Sequence, residues 1–112
     1  MLPRSKRLNL KRDFKWVGSG KKIDAKYATF FIRIGDNPYP RLGIAVSSKL
    51  LTKSTQRHRA KRILSKAFES VYSKLPQNIN IVALPKFNIL DVKSNDVVLD
   101  LEEILKDEKI ID

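Results

Sequence analysis

The chain has 112 residues, 42% of them hydrophobic, enough for one packed domain and too apolar for a disordered tail. With no Cys and one His, it excludes a disulfide framework, a thiolate metal site and a His-based metal cage. Its 23 Lys and Arg outnumber 12 Asp and Glu, and the net charge of +11 calls for a polyanionic partner. The charge is lopsided: residues 1–74 hold 19 basic and 4 acidic side chains, residues 75–112 hold 4 and 8. No apolar run approaches a membrane span and the N-terminus lacks an apolar signal core. A cytoplasmic protein without a membrane partner, monomeric when alone, is the expectation.

Residues 1–9 form a basic arm (Arg4, Lys6, Arg7), kept extended by Pro3. Asn9 is placed to cap a helix from Leu10 to about Val17, with Leu10, Phe14 and Val17 inward and Trp16 off that face. Gly18, Ser19 and Gly20 break it. A short strand around Lys22–Ala25 is suggested but not fixed by the pattern. Residues 27–34 alternate as a strand: Ala28, Phe30, Ile32 and Ile34 on one face, Tyr27, Thr29, Phe31 and Arg33 on the other. Residues 41–47 form another, with Leu42, Ile44 and Val46 opposite Arg41, Gly43, Ala45 and Ser47. The short link between them predicts antiparallel neighbours.

The second faces of these strands combine aromatics, small residues and arginines. Aromatics stack on unpaired bases while cations hold the backbone. Two readings stand: Tyr27 and Phe31 are covered by the first helix through Phe14, or a groove between helix and sheet leaves them open.

Residues 53–75 are the chain's strongest signal. Ala60, Ile63, Leu64, Ala67, Phe68, Val71 and Leu75 recur at helical spacing and form one apolar face. Arg59, Arg62 and Lys66 adjoin it, with His58 and Lys61 further round. Arg57 projects into the apolar arc, in a first turn from which it can reach past the helix end. No acid occurs between Lys53 and Lys66, so this side lacks the i,i+4 pairs of a merely soluble helix. It reads as an anion-binding face, rich in the guanidinium forks that match phosphate. Thr52 or Ser54 is the expected cap and Pro76 the stop. Residues 79–84 give a short apolar strand, and Pro85–Asn88 a loop. Ser94 is expected to cap a last helix, 95 to about 109, with Val97, Val98, Leu101, Ile104 and Leu105 inward. The whole reads as α+β, an α/β sandwich with helices on one sheet.

Catalytic machinery is not assembled by these residues. His58 stands among cations, as an RNA-facing donor or a bystander. The basic half offers Asp13, Asp24, Asp36 and Glu69, which do not make a two-metal nuclease site. The residues point to a binding protein with no catalytic or metal residues of its own.

Arg41-Leu-Gly-Ile-Ala-Val-Ser-Ser-Lys49, then Arg57-His-Arg-Ala-Lys-Arg62, with Arg7-Leu8, Asp13-Phe14 and Val17 upstream, resembles the protein subunit of bacterial ribonuclease P. His58 stands where that family usually has Asn, and Gly18 where it has a second aromatic. The resemblance implies the order α-β-β-β-α-β-α on a mixed four-stranded sheet. It also implies a left-handed βαβ crossover, as in the second domain of ribosomal protein S5. In the family the RNA subunit is the catalyst. It uses Mg²⁺ to remove the 5′ leader of precursor tRNA, so the protein is part of an endoribonuclease without being catalytic alone. The implied RNA-subunit contacts are Arg57, His58, Arg59, Lys61 and Arg62, and the helix pattern adds Lys66. Phe14 maps onto the leader groove, and the strand alternation adds Tyr27, Phe31, Arg41 and Ser47. A non-catalytic structural RNA binder of similar fold, ribosomal or chaperone-like, is the alternative.

Overall fold

The computed structural model describes residues 2–111. The first residue of the arm 1–9 and the last of the chain lie outside the described residues. The elements are α1 (Leu10–Gly18), β1 (Lys21–Asp24), β2 (Ala28–Ile34), β3 (Arg41–Ile44), α2 (Ser54–Val71), β4 (Ile79–Pro85) and α3 (Ser94–Asp107). This is the expected α-β-β-β-α-β-α order, including the short first strand. Short 3-10 turns at Tyr72–Lys74 and Phe87–Asp91 replace the last turn expected of α2 and the loop after β4.

The sheet order is β1-β2-β4-β3. β2 and β3 are therefore not neighbours, contrary to the expectation from their short link. β4 lies between them, antiparallel to β2 and parallel to β3. The reason is burial. β4 is closed to solvent at six of its seven positions, and a strand so apolar needs cover on both faces and partners on both edges. The 35–40 link instead spans the width of β4.

The main core lies between the sheet and the pair α2 and α3. Every residue of the expected α2 face, Ala60 through Leu75, is buried there. Phe30 meets Phe68 edge-on, ring centroids 6.3 Å apart. Each such Leu, Ile or Phe contributes about 1.5–3 kcal/mol. Of the expected α3 face, Val97, Leu101 and Leu105 are buried and Val98 and Ile104 pack at its margin. A smaller cluster on the opposite sheet face joins Leu8, Val17 and Val82, flanked by Leu10, Phe31 and Ala45. α1 is thus held on that face by Leu10 at its start and Val17 near its end.

The caps differ from expectation at two helices. Asn9 does cap α1, its side chain accepting from the Arg12 N–H at 3.4 Å. At α2 neither Thr52 nor Ser54 caps; Lys53 is the N-cap and its N–H donates to the Gln56 side chain at 3.1 Å. At α3, Ser94 is the first helical residue, and the Lys93 N–H donates to Asp96 at 3.0 Å. In both, a side chain at the third helical position reaches back, satisfying the amide that precedes the helix.

Candidate nucleic-acid interface

The amphipathic spacing that buries Ala60–Val71 turns the other side of α2 to solvent. His58, Arg59, Lys61, Arg62 and Lys66 are all exposed. The side chains of His58, Lys61, Arg62 and Lys66 make no hydrogen bond or ion pair with another described residue. Four cations elsewhere do have acid partners: Arg12 with Asp13, Lys21 with Glu108, Lys74 with Glu102 and Lys86 with Asp24. The Lys86 ammonium, hydrogen-bonded to Asp24, holds that carboxyl below its usual value. None of these four pairs involves Lys61, Arg62 or Lys66 of α2.

Two arginines of this helix have additional work. Arg57 donates through Nη1 to the carbonyls of Leu51 (2.8 Å) and Thr52 (3.0 Å). It reaches past the helix start, as its first-turn position predicts, and pins the loop before α2. Arg59 donates through Nε to the Leu90 carbonyl at 3.0 Å, tying α2 to the turn before α3.

The edge of β3 connects this face to the other side of the sheet. The N-terminal arm runs along that edge, the Leu8 N–H donating to the Leu42 carbonyl at 2.9 Å. Arg7 from the arm and Lys61 and Ser65 from α2 line one cavity of about 240 Å³ beside Gly43 and Ile44. Gly43 lies under the arm and α1: a Cβ there would meet Leu10 Cδ2, the free end of a flexible side chain, at 2.8 Å and Leu8 Cβ at 3.3 Å.

On the face that carries α1, the register aligns Lys22, Phe31, Val82 and Gly43 in one row across the sheet. Arg33, Asn80 and Arg41 form the next. Val17 closes over Val82, while Phe14 and Trp16 stay 36% and 40% exposed. Phe31 is half-buried at the flank of α1. Phe31 thus packs against the α1 cluster, while Phe14 and Trp16 present part of their rings to solvent beside it.

A profile of the Ribonuclease P family matches residues 2–109. The chain belongs to this family. The ribonuclease P protein component of Pseudoalteromonas atlantica is 36% identical over 78 residues, covering 70% of this chain and 64% of that relative. The one from Legionella pneumophila (strain Lens) is 38% identical over 84 residues, 73% of this chain and 72% of the relative. The ribonuclease P protein of Thermotoga maritima, solved with 1-(4-fluorophenyl)-2-thiourea, superposes with a TM-score of 0.77 at 30% identity. It covers 89% of this chain and 97% of that one.

The residues expected of a ribonuclease P protein are partly gathered by the fold. Arg57, His58, Arg59, Lys61, Arg62 and Lys66 share α2, with Arg57 turned inward to the loop. Phe14, Phe31 and Arg41 share the face under α1. Tyr27 does not join them. It sits in the bend before β2, outside the strand alternation, and packs against the cluster beneath α2 and α3. Ser47 lies past the end of β3, where its Oγ accepts from the Leu50 N–H at 3.3 Å and its carbonyl from Leu51 at 2.9 Å. It builds the turn into the α2 loop. Sequence reading missed the pair Trp16 and Arg33. The Arg33 guanidinium stacks 4.7 Å from the indole centroid and donates to the Trp16 carbonyl at 3.1 Å. The alternation that put Arg33 on Phe31's face was the available signal. Among the described residues, no three His, Cys, Asp or Glu side chains converge as a metal site, and no helix is long and apolar enough to cross a membrane.

Proposed function

We propose that this chain is the protein subunit of a ribonuclease P holoenzyme that removes 5′ leaders from precursor tRNA. The observation that carries the proposal is the unpaired cationic face of α2 in a chain of this family. Lys61, Arg62 and Lys66 there have no acid partner among the described residues, so phosphate is their natural counterion. In this reading α2 docks on the catalytic RNA, and the groove beside α1 holds the single-stranded leader. Phe14 and Phe31 offer rings for stacking, and Lys22 and Arg41 offer charge. Such a groove grips a leader of any sequence by base faces and backbone.

The chemistry at the scissile phosphate is supplied by the RNA with Mg²⁺. The chain's part in this reading is electrostatic. Cations on α2 and along the β3 edge take over phosphate neutralisation that divalent ions otherwise perform, which lowers the Mg²⁺ the RNA needs.

The test is precursor-tRNA cleavage by a bacterial catalytic RNA at low Mg²⁺, with and without the protein. Leader removal should accelerate with protein present and be absent with protein alone. Phe14→Ala should weaken precursor binding more than mature-tRNA binding. No gain over RNA alone would favour a structural RNA binder instead.

A further inference from the structure

The docking face of α2 carries one group whose charge is not fixed. His58 is the chain's single histidine, and there is no cysteine. An imidazole ordinarily changes charge between pH 5 and 8. Lysines and arginines stay charged throughout that range.

His58 stands on the crest of the helix. At about 100° per residue it projects roughly 140° from the middle of the buried stripe Ala60, Ile63, Leu64, Ala67, Phe68 and Val71, and it is exposed. Lys61 and Arg62, one turn on, are its neighbours on that face. Glu69, the one acid of α2, lies about three turns further along, roughly 16 Å away. The flanking elements bring mostly cations. Lys49 and Lys53 stand in the loop before the helix, and Arg7 of the arm shares a cavity with Lys61. On the Arg59 side, the turn that holds Leu90 also carries Asp91, and Lys93 follows. No ion pair or hydrogen bond joins His58 to Asp91 or to any other described residue. A phosphodiester on this face would be different. It stays anionic across the whole range, and the imidazolium offers it two N–H donors where the neutral ring offers one. Opposite charge and the hydrogen bond both favour the protonated ring.

We propose that His58 docks on the RNA subunit as the imidazolium, a proton-linked phosphate contact, so that this chain grips its RNA more tightly as pH falls from 8 to 6. The inference rests on the reading that α2 is the docking face and adds to it a charge that titrates. The sign follows from linkage: the complex holds more protons than the free partners, so affinity rises as pH falls. A phosphate that favours the imidazolium about tenfold should make binding roughly sixfold tighter at pH 6 than at pH 8.

Filter binding to a bacterial ribonuclease P RNA at the two pH values and one ionic strength measures this. The α-amino group titrates in the same range, but every variant keeps it, and any response of the RNA itself is common to all. The histidine contribution is therefore the difference between the wild type and His58→Asn. His58→Asn should lose most of the pH response and bind at both values as the wild type does at pH 8. His58→Lys, charged at both, should also lose it but bind as the wild type does at pH 6. The slope of log affinity against log salt should be steeper at pH 6 by up to about one unit in the wild type, and equal at both pH values in the variants. Both substitutions are at an exposed position and should leave the melting temperature nearly unchanged. A pH response that survives in His58→Asn would assign it to another group and overturn the proposal. Tight, salt-dependent binding with a flat pH profile would overturn it too, while leaving α2 docking intact. Absence of binding at either pH would bring down the docking reading as well.

Discussion

Gly20 shows how a single residue fixes the site. It carries the chain from α1 into β1, and a Cβ there would sit 2.4 Å from the Ile32 carbonyl oxygen and 2.9 Å from Arg33 Cβ. Neither neighbour is the free end of a flexible side chain, so the backbone must shift. Gly20→Ala should cost about 1–3 kcal/mol in urea unfolding, and by moving α1 should also disturb the Trp16–Arg33 stack. Gly18, two residues earlier, meets only Phe14 at 4.0 Å, so the same substitution there should be tolerated. Tyr72 is a second case. Its hydroxyl donates to the Pro40 carbonyl at 2.7 Å and anchors the 35–40 link to the end of α2. Burial, with a smaller contribution from Tyr39, raises its pKa above the usual value. The neutral phenol is thus favoured in the folded state. Its contribution is complete below the unfolded pKa near 10 and is lost as pH rises through the higher folded value. Tyr72→Phe should remove about 1 kcal/mol at neutral pH and flatten the alkaline decline of stability, as thermal melts between pH 8 and 11 would register.

At the scale of elements, α2 does two jobs that substitution can separate. Arg57→Ala removes two hydrogen bonds to the loop carbonyls and should lower stability by about 1–2 kcal/mol. Arg62→Ala removes an exposed, unpaired side chain and should leave the melting temperature nearly unchanged. It should instead reduce the slope of log affinity for the RNA subunit against log salt by roughly one unit. Filter binding over a salt series measures this, and an unaltered slope would place Arg62 away from the RNA. The division was half legible beforehand. Helical spacing named every buried position of α2, because one long element carries its own period. Strand alternation likewise placed Phe30 and Phe31 on opposite faces. It failed at Tyr27 because a bend resets the alternation, and nothing in the local sequence marks where pairing begins. The neighbour of β3 was misjudged for a different reason. Link length constrains adjacency only when no later strand competes, and β4 enters from about forty residues downstream.

Across the whole molecule the charge has a direction. Two acids at α3 meet the β1 side: Glu108 pairs with Lys21, and Asp100 accepts the Lys26 N–H at 3.1 Å, while Glu102 pairs with Lys74 after α2. The opposite edge, β3, carries the arm with Arg7 and looks across to Lys61 of α2. With sheet order β1-β2-β4-β3, the lysine–acid pairs of the β1 edge and the arginine and lysine beside β3 lie at opposite ends of the sheet. The positive side continues around the β3 edge to the groove under α1. One partner can therefore lie on α2 while a second strand enters the groove, both inside one field. The same clustering sets up self-repulsion in the free protein, unlike a diffuse charge that salt screens evenly. Sulfate should then raise the melting temperature more than chloride at equal ionic strength, because it binds between the α2 cations. Excluded-solute stabilisation by sulfate acts on any protein, so the control is a variant. Arg62→Ala combined with Lys66→Ala should remove most of the sulfate increment, whereas Lys106→Ala and Lys109→Ala, on the α3 side, should leave it. Equal loss in both pairs would mean that the charge acts as a total rather than as a surface, and α2 would lose its claim to be the docking face.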